Sequence, residues 1–132
     1  MLEGKRAYIS SPLSADSREQ MERNMDMARF YMMRMKQLYH CRTFASHAHM
    51  PLMLDDTIPD ERKTGLAIGR LLLDLCDTVI ICGRRVSSGM KDEILIAFEN
   101  GKEVYWYDSM MKPFELMRIN SWRDINREVQ IS

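Results

Sequence analysis

The stretch DTVIICGRRVSSGMKDEILIAFENGKEVYWYD, residues 77–108, has the pattern of a strand, a helix and a second strand. Its first part, 77–83, is an almost continuous apolar run ending in glycine, which is typical of a parallel strand buried on both faces. Residues 89–100 show helical spacing, and 102–108 has a strand-like pattern. Two strands joined through a helix normally form a right-handed parallel unit. The stretch therefore predicts a parallel sheet covered by helices.

The sequence before this stretch continues the alternation of strand and helix. We predict a strand, a long amphipathic helix behind the capping box SREQ, a second strand, a long loop and a further helix, at 6–10, 17–39, 41–46, 47–61 and 61–76. Such alternation predicts the α/β class, with helices on both faces of a parallel sheet of about four to five strands. The expected architecture is a three-layer sandwich.

The length and charge balance fit one small domain with a small-molecule partner. The chain has 132 residues, and we expect a single domain over 1–132, with its core at 6–108 and a helical tail at 109–132. Lys and Arg together number 19, as do Asp and Glu, so the formal net charge is zero. This balance argues against a nucleic-acid polymer or a membrane surface as the partner.

Cysteine usage and hydropathy point to the cytoplasm. Cys41, Cys76 and Cys82 are odd in number and lack CxxC spacing, so we predict reduced, buried thiols. The longest apolar runs are too short to span a bilayer, and residues 1–10 lack the apolar core of a signal peptide.

Polar residues follow the predicted strands where a ligand site would lie. In open parallel sheets, ligands bind at the carboxyl ends of the strands. That rule selects 10–14, 46–56 and 83–89, which are the parts of the chain rich in Ser, His, Asp and Gly. Gly83 ends the central apolar run and belongs to this predicted edge.

Glu93 is the candidate catalytic carboxylate. It lies at helical spacing from Met90 and Ala97, so it is on the buried face of the helix or next to it. One interpretation is ordinary complementarity between an acidic residue and a helix N-terminus. The other is a partly buried carboxylate that is used as a nucleophile or as an acid–base group.

Two loops near Glu93 have both a structural and a binding interpretation. The loop VSSGM, 86–90, is able to hold a phosphate or carboxylate at the start of a helix, or Ser88 simply caps that helix. The loop YISSPLS, 8–14, is either ordinary turn chemistry or a set of hydroxyls that bind a sugar or phosphate.

The loop HAHMPLMLDD, 47–56, carries two histidines and two aspartates. No third metal ligand has a recognisable spacing, so we expect no metal. We predict instead a polar loop over the site, in which His47 or one of the aspartates contacts the ligand.

Four stretches resemble the nucleoside 2-deoxyribosyltransferase-like superfamily, and most closely its small members common in phages and their hosts. YISSPL (8–13) is similar to the motif of the family's first strand, and LCDTVIICG (75–83) to its strand preceded by aspartate. SSGMKDEILIAFENGKEVY (87–105) is similar to its G-x-x-x-E signature, and TFASHAHMPLMLDD (43–56) to a loop of the phage-type members. The resemblance implies a flavodoxin-like (Rossmann-like) fold and cleavage or transfer at the N-glycosidic bond of a nucleoside or nucleoside 5′-monophosphate. This chemistry requires no cofactor.

The resemblance also implies roles for individual residues. Glu93 falls on the catalytic glutamate, which forms a glycosyl-enzyme intermediate, and Tyr8, a second catalytic candidate, falls on an aromatic position near the site. The residues expected to contact substrate lie in the three edge segments: Ser10, Ser11, Pro12, His47, Asp55, Gly83, Ser87, Ser88, Gly89 and Met90. The family further implies a homodimer or higher homo-oligomer in a bacterial or phage-infected cytoplasm.

The chain departs from the family at one position. The transferases carry an aspartate on the helix before the central strand, where this chain has Gly69. Asp55 or Asp56 is a possible substitute from the loop, and we include Asp56 among the catalytic candidates. The alternative function is a non-catalytic protein that sequesters or senses a nucleotide.

Overall fold

A computed structural model describes residues 2–13, 16–128 and 130–131, with a five-stranded sheet at its centre. The strands are β1 (Arg6–Ser10), β2 (Arg42–Phe44), β3 (Thr78–Cys82), β4 (Arg85–Val86), β5 (Glu103–Tyr107), β6 (Met117–Ile119) and β7 (Gln130–Ile131). The helices are α1 (Arg18–Tyr39), α2 (Pro59–Leu75), α3 (Ser88–Glu99) and α4 (Trp122–Glu128). Short 3-10 turns at Ser46–Ala48 and Met50–Leu52 lie within the predicted long loop.

The sheet has the strand order β2-β1-β3-β5-β6. The first four strands run parallel, and β6 is antiparallel to β5. The predicted α/β fold with a mostly parallel sheet is therefore confirmed. Pairing of β1 with β3 places Ser10 opposite Ile81, so the ends of the two central strands are level.

Alternation along β1 sends its side chains to opposite faces of the sheet. Ala7 and Ile9 are fully buried in a cluster with Ala28, Tyr31 and Met35 of α1. Helix α1 therefore covers one face of the sheet.

The opposite face packs against the other helices. Tyr8 belongs to a second cluster with Leu73 of α2, Ile94 of α3 and Ile125 of α4. The chain thus forms the three layers expected of alternating strands and helices.

The ends of the helices follow the local sequence. The Ser17 hydroxyl accepts a hydrogen bond from the Gln20 N–H at 3.1 Å, which caps α1 as predicted. Helix α2 begins at Pro59, where proline lacks the N–H that the first turn leaves unpaired. Within the described ranges, no helix combines the length and apolar character needed to cross a membrane.

The C-terminal segment 109–132 differs from the predicted helical tail. It supplies the fifth strand of the sheet, β6, before the short helix α4. Ile119 of β6 pairs with Val104 and is buried in the same cluster as α3. A three-residue strand is too short to show the alternating pattern by which strands are recognised from sequence. Its pairing with β5 decides its conformation.

We predict that Ile119→Ala lowers the free energy of unfolding by about 2–4 kcal/mol, because it removes a buried side chain that joins the tail to the core. Urea unfolding followed by circular dichroism measures the change. Met110→Ala is the control, since Met110 is 79% exposed in the same segment, and its effect should stay within about 0.5 kcal/mol. Equal effects of the two substitutions would show that the tail does not stabilise the core.

Candidate functional site

Glu93 lies in the second turn of α3, beside the face that packs on the sheet. The helix begins at Ser88 and buries Met90, Ile94 and Ala97. The Glu93 side chain is only 17% exposed. Because the effect of the helix dipole fades within the first turn, simple complementarity with the N-terminus does not account for a carboxylate here.

Two residues of β1 approach this carboxylate from the sheet. Tyr8 and Ser10 are two apart on the strand, so both side chains point to the face covered by α3. The Ser10 hydroxyl donates to Glu93 Oε1 at 3.2 Å, and the Tyr8 hydroxyl also hydrogen-bonds to the Glu93 side chain. Tyr8 Oη lies 2.9 Å from Ser46 Oγ, a hydrogen bond that links the carboxylate to the segment after β2.

Burial changes the acidity of the groups in this cluster. It raises the pKa of Glu93 from its ordinary value of 4.5 to about 7, against the opposing effect of the Tyr8 and Ser10 hydroxyls. Burial and the negative charge of Glu93 raise the pKa of Tyr8 far above its usual range. The Glu93 carboxyl is therefore present in both protonated and ionised forms near neutral pH.

His47 faces Glu93 from the 3-10 turn Ser46–Ala48. Its Nε2 lies 4.0 Å from Glu93 Oε1, and its side chain is 23% exposed. Burial lowers the pKa of His47, while the charge of Asp56 acts in the opposite direction. The structure thus brings together Glu93, Tyr8, Ser10 and His47, all of which were predicted as site residues.

Ser11 and Pro12 continue the chain from the end of β1. Ser11 is 2% exposed, and its hydroxyl has no hydrogen-bond partner among the residues that the structure describes. A buried hydroxyl without a partner is unfavourable unless a ligand or a water molecule supplies the missing hydrogen bond. Ser11 is thus a buried hydroxyl next to the carboxyl edge, and Pro12, beside it, is half-buried.

Gly83 lies at the carboxyl edge, and its backbone is already engaged. It adopts a φ of 97°, a conformation that favours glycine, and its N–H donates to the Tyr107 carbonyl at 3.2 Å. Its carbonyl accepts from Trp106 Nε1 at 2.6 Å.

The residues that begin α3 divide between structural and exposed positions. Ser87, rather than Ser88, is the helix cap, and its hydroxyl accepts from the Met90 N–H at 3.3 Å. Met90 is buried in the core. Ser88 and Gly89 are exposed, and no atom lies within 4 Å of the place where a Cβ on Gly89 would be. These two residues are the part of the loop open to a ligand.

Asp55 and Asp56 lie on the exposed part of the loop. The Asp55 carboxylate accepts from the N–H and hydroxyl of Thr57, at 2.9 and 2.6 Å, so it stabilises a local turn. Asp56 pairs with Arg62 at 3.6 Å. Among the described residues, no three His, Cys, Asp or Glu side chains converge as a metal-binding group.

Ser46 and Asp108 are edge residues that the sequence did not single out. Ser46 is buried and bonds to Tyr8, and only its place after a short strand pointed to it. Asp108 follows β5 and is 5% exposed. Its Oδ2 lies 3.1 Å from Arg84 Nε, and its Oδ1 accepts from the N–H groups of Met110 and Met111. A single Asp at the end of a strand gives no sequence signal that separates such a role from a turn.

The site therefore consists of a partly buried glutamate and histidine and a fully buried tyrosine and serine at the carboxyl edge of a mostly parallel α/β sheet. A family described as a domain of unknown function, DUF7768, matches residues 5–107, and the chain belongs to that family. Comparison with curated proteins gives no match.

One similar solved structure is a 2-deoxyribosyltransferase from the psychrotolerant bacterium Bacillus psychrosaccharolyticus. The TM-score is 0.60 with 11% sequence identity, over 94% of this chain and 82% of the other. At this identity the likeness establishes a shared fold, and the predicted resemblance is confirmed at the level of fold.

We predict that the stability of Glu93→Gln relative to wild type increases as pH rises. Because the folded-state pKa of Glu93 is raised from 4.5 to about 7, wild-type stability falls as pH increases across that window. Glutamine does not ionise, so the variant lacks this loss and gains about 3 kcal/mol relative to wild type between about pH 4.5 and about pH 8. Urea unfolding at both pH values measures the difference.

Glu99→Gln is the matched control, since Glu99 is an exposed carboxylate at the end of the same helix. Its stability relative to wild type should change little between the two pH values. If the stability of Glu93→Gln relative to wild type fell over the same rise in pH, the result would contradict a raised pKa of Glu93.

Proposed function

We propose that this protein cleaves the N-glycosidic bond of a nucleoside or nucleoside 5′-monophosphate, with Glu93 as the nucleophile. The observation that carries the proposal is the buried Glu93 carboxyl, held by the Ser10 hydroxyl at 3.2 Å and by Tyr8. Its location at the carboxyl edge is where such sheets bind ligands. The shared fold with a 2-deoxyribosyltransferase supports the same class of substrate.

The proposed chemistry needs one well-placed carboxylate. Glu93 attacks the anomeric carbon as the base departs, which gives a glycosyl ester on the enzyme. Water then completes hydrolysis, or a second base completes transfer. The sequence of steps is that of a retaining glycosidase. Ser10 and Tyr8 hold the carboxylate in one orientation, so the attacking oxygen is positioned before substrate arrives.

Other edge residues suit the remainder of the substrate. The Ser11 hydroxyl is buried and has no hydrogen-bond partner among the described residues, and it lies in the segment that we assign to the sugar. The exposed Ser88 and Gly89 lie in the first turn of α3, where the backbone N–H groups and helix dipole favour a phosphate. This arrangement supports a 5′-monophosphate as the preferred form.

A homo-oligomer in the cytoplasm is part of this proposal. Met27, Phe30 and Met33 on α1 are between 43% and 62% exposed, a stripe of large apolar side chains that suits contact with a second copy. The cysteines Cys41, Cys76 and Cys82 are free and buried, which suits a reducing compartment.

Gly69 favours a second candidate function, the binding of a nucleotide without catalysis. A Cβ on Gly69 would lie 3.5 Å from Ser46 Oγ, so this position of α2 adjoins the Ser46–Tyr8 pair. Because it carries no side chain, α2 supplies no acid from this position. Such a protein would sequester or sense the nucleotide.

We predict that wild-type protein releases free base from at least one member of a panel of 2′-deoxynucleosides and their 5′-monophosphates. Chromatography of the products measures release. Glu93→Gln should lower kcat by about 10³-fold or more, because it removes the nucleophile while keeping the shape of the side chain. Glu99→Gln is the control on the same helix and should retain wild-type activity.

The same panel separates the two candidate functions. Thermal unfolding with each compound reports binding, because a ligand that binds only the folded state raises Tm. A wild-type protein that is stabilised by one nucleotide but releases no base from any compound would establish binding alone and end the enzyme proposal.

A further inference from the structure

Cleavage of an N-glycosidic bond needs a proton for the departing base as well as a nucleophile. A base that leaves without a proton carries negative charge, so a positioned acid accelerates the step. Position 69 of α2 is a glycine, and both loop aspartates are exposed and engaged with Thr57 or Arg62. A protein donor at this site would therefore be another side chain at the edge.

We propose that His47 is the proton-transfer residue of this site, donating to the departing base and later accepting a proton from water. The proposal rests on the proposed function, since it assigns a second catalytic group to the same reaction. Its geometric basis is the approach of His47 Nε2 to 4.0 Å from Glu93 Oε1. That distance is too long for a direct hydrogen bond, so the imidazole N–H is not committed to the carboxylate.

The backbone around His47 is anchored on both sides. Ser46, before it, bonds to Tyr8 at 2.9 Å, and Ala48, after it, is fully buried. The Ala48 carbonyl accepts from Arg29 Nη1 at 2.6 Å. These contacts hold the imidazole toward Glu93, as a group in proton transfer requires.

The charged and titratable groups that face His47 come from three elements. Glu93 approaches from α3 and Asp56 from the exposed loop, while Tyr8 of β1 contacts the preceding residue. Burial lowers the pKa of His47 and raises that of Glu93, so each group favours its neutral form near neutral pH, and the reactive form has the Glu93 proton moved to His47. The strongly raised pKa of Tyr8 makes its hydroxyl a poor proton donor.

One proton on this pair of residues is sufficient for the reaction. With the proton on His47, the ionised Glu93 forms a bond to the anomeric carbon. The bond to the base nitrogen breaks, its electron pair stays with the base, and the base takes the His47 proton. Water then attacks the anomeric carbon, its proton passes to neutral His47, and the ester bond returns its electrons to Glu93. The products are free base and sugar, and the enzyme regains its starting protonation.

We predict that His47→Gln lowers kcat by roughly 10²–10⁴-fold on the nucleoside or nucleotide that wild type cleaves. For the first step, release of the leaving group in a single turnover, the loss should fall below about 10-fold on the same sugar with a leaving group that departs without a proton, either p-nitrophenolate or an N7-methylated purine. Single-turnover rates of leaving-group release on both substrate types measure the contrast, because the later hydrolysis of the glycosyl-enzyme is common to both. His49→Gln is the matched control, because His49 is exposed in the same loop and should retain wild-type rates.

The pH profile and a second variant distinguish a role of His47 in proton transfer from a purely structural role. Wild-type kcat should be bell-shaped in pH, and His47→Gln should lose the alkaline limb, where His47 gives up its proton. Added imidazole should restore part of the activity of His47→Ala. Equal losses on both leaving groups, or no loss, would overturn the role of His47 while leaving Glu93 in place. Absence of base release by wild type would overturn both proposals.

Discussion

Parallel pairing between β1 and β3 is the constraint on which the site depends. It sets Ser10 opposite Ile81 and brings the end of β1 level with the strand that leads to α3. Helix α3 then packs across the sheet through Met90, Ile94 and Ala97. Glu93 is carried to the β1 side of that contact, where Ser10 meets it at 3.2 Å. A one-residue slip of β1 would turn Tyr8 and Ser10 to the α1 face and remove both hydroxyls from the carboxylate.

Most of the fold was readable from sequence because its strongest signals are local. The buried run at β3, the helical spacing of α1 and α3, and the cap at Ser17 each lie within a few consecutive residues. The fifth strand was not readable, because Met117–Ile119 is short and acquires its conformation by pairing with β5. Long-range pairing leaves little trace in a three-residue segment, so 109–132 was predicted as a helical tail.

The candidate site was predicted only in part, because packing decides which polar side chains reach it. Glu93, Tyr8, Ser10 and His47 were named because strand order and family resemblance place them at one edge, and the structure brings them together. The roles of Ser87 as the helix cap and of Asp55 as a turn acceptor depend on hydrogen bonds one to three residues away. Ser46 was overlooked because its importance arises from a contact 38 residues away in sequence. Spacing alone does not show which polar residue of a loop turns inward.

The way in which Glu93 is held has a chemical consequence. A cation beside a buried carboxylate would keep its pKa low, but it would also draw charge from the oxygen that we propose as the nucleophile. Here burial is opposed by hydroxyl groups, Tyr8 and Ser10, and the carboxyl keeps a pKa of about 7. Such a group is weakly solvated and is able to ionise near neutral pH. Folding stability is given up at this position as pH rises, and the resulting carboxylate suits the nucleophile that we propose.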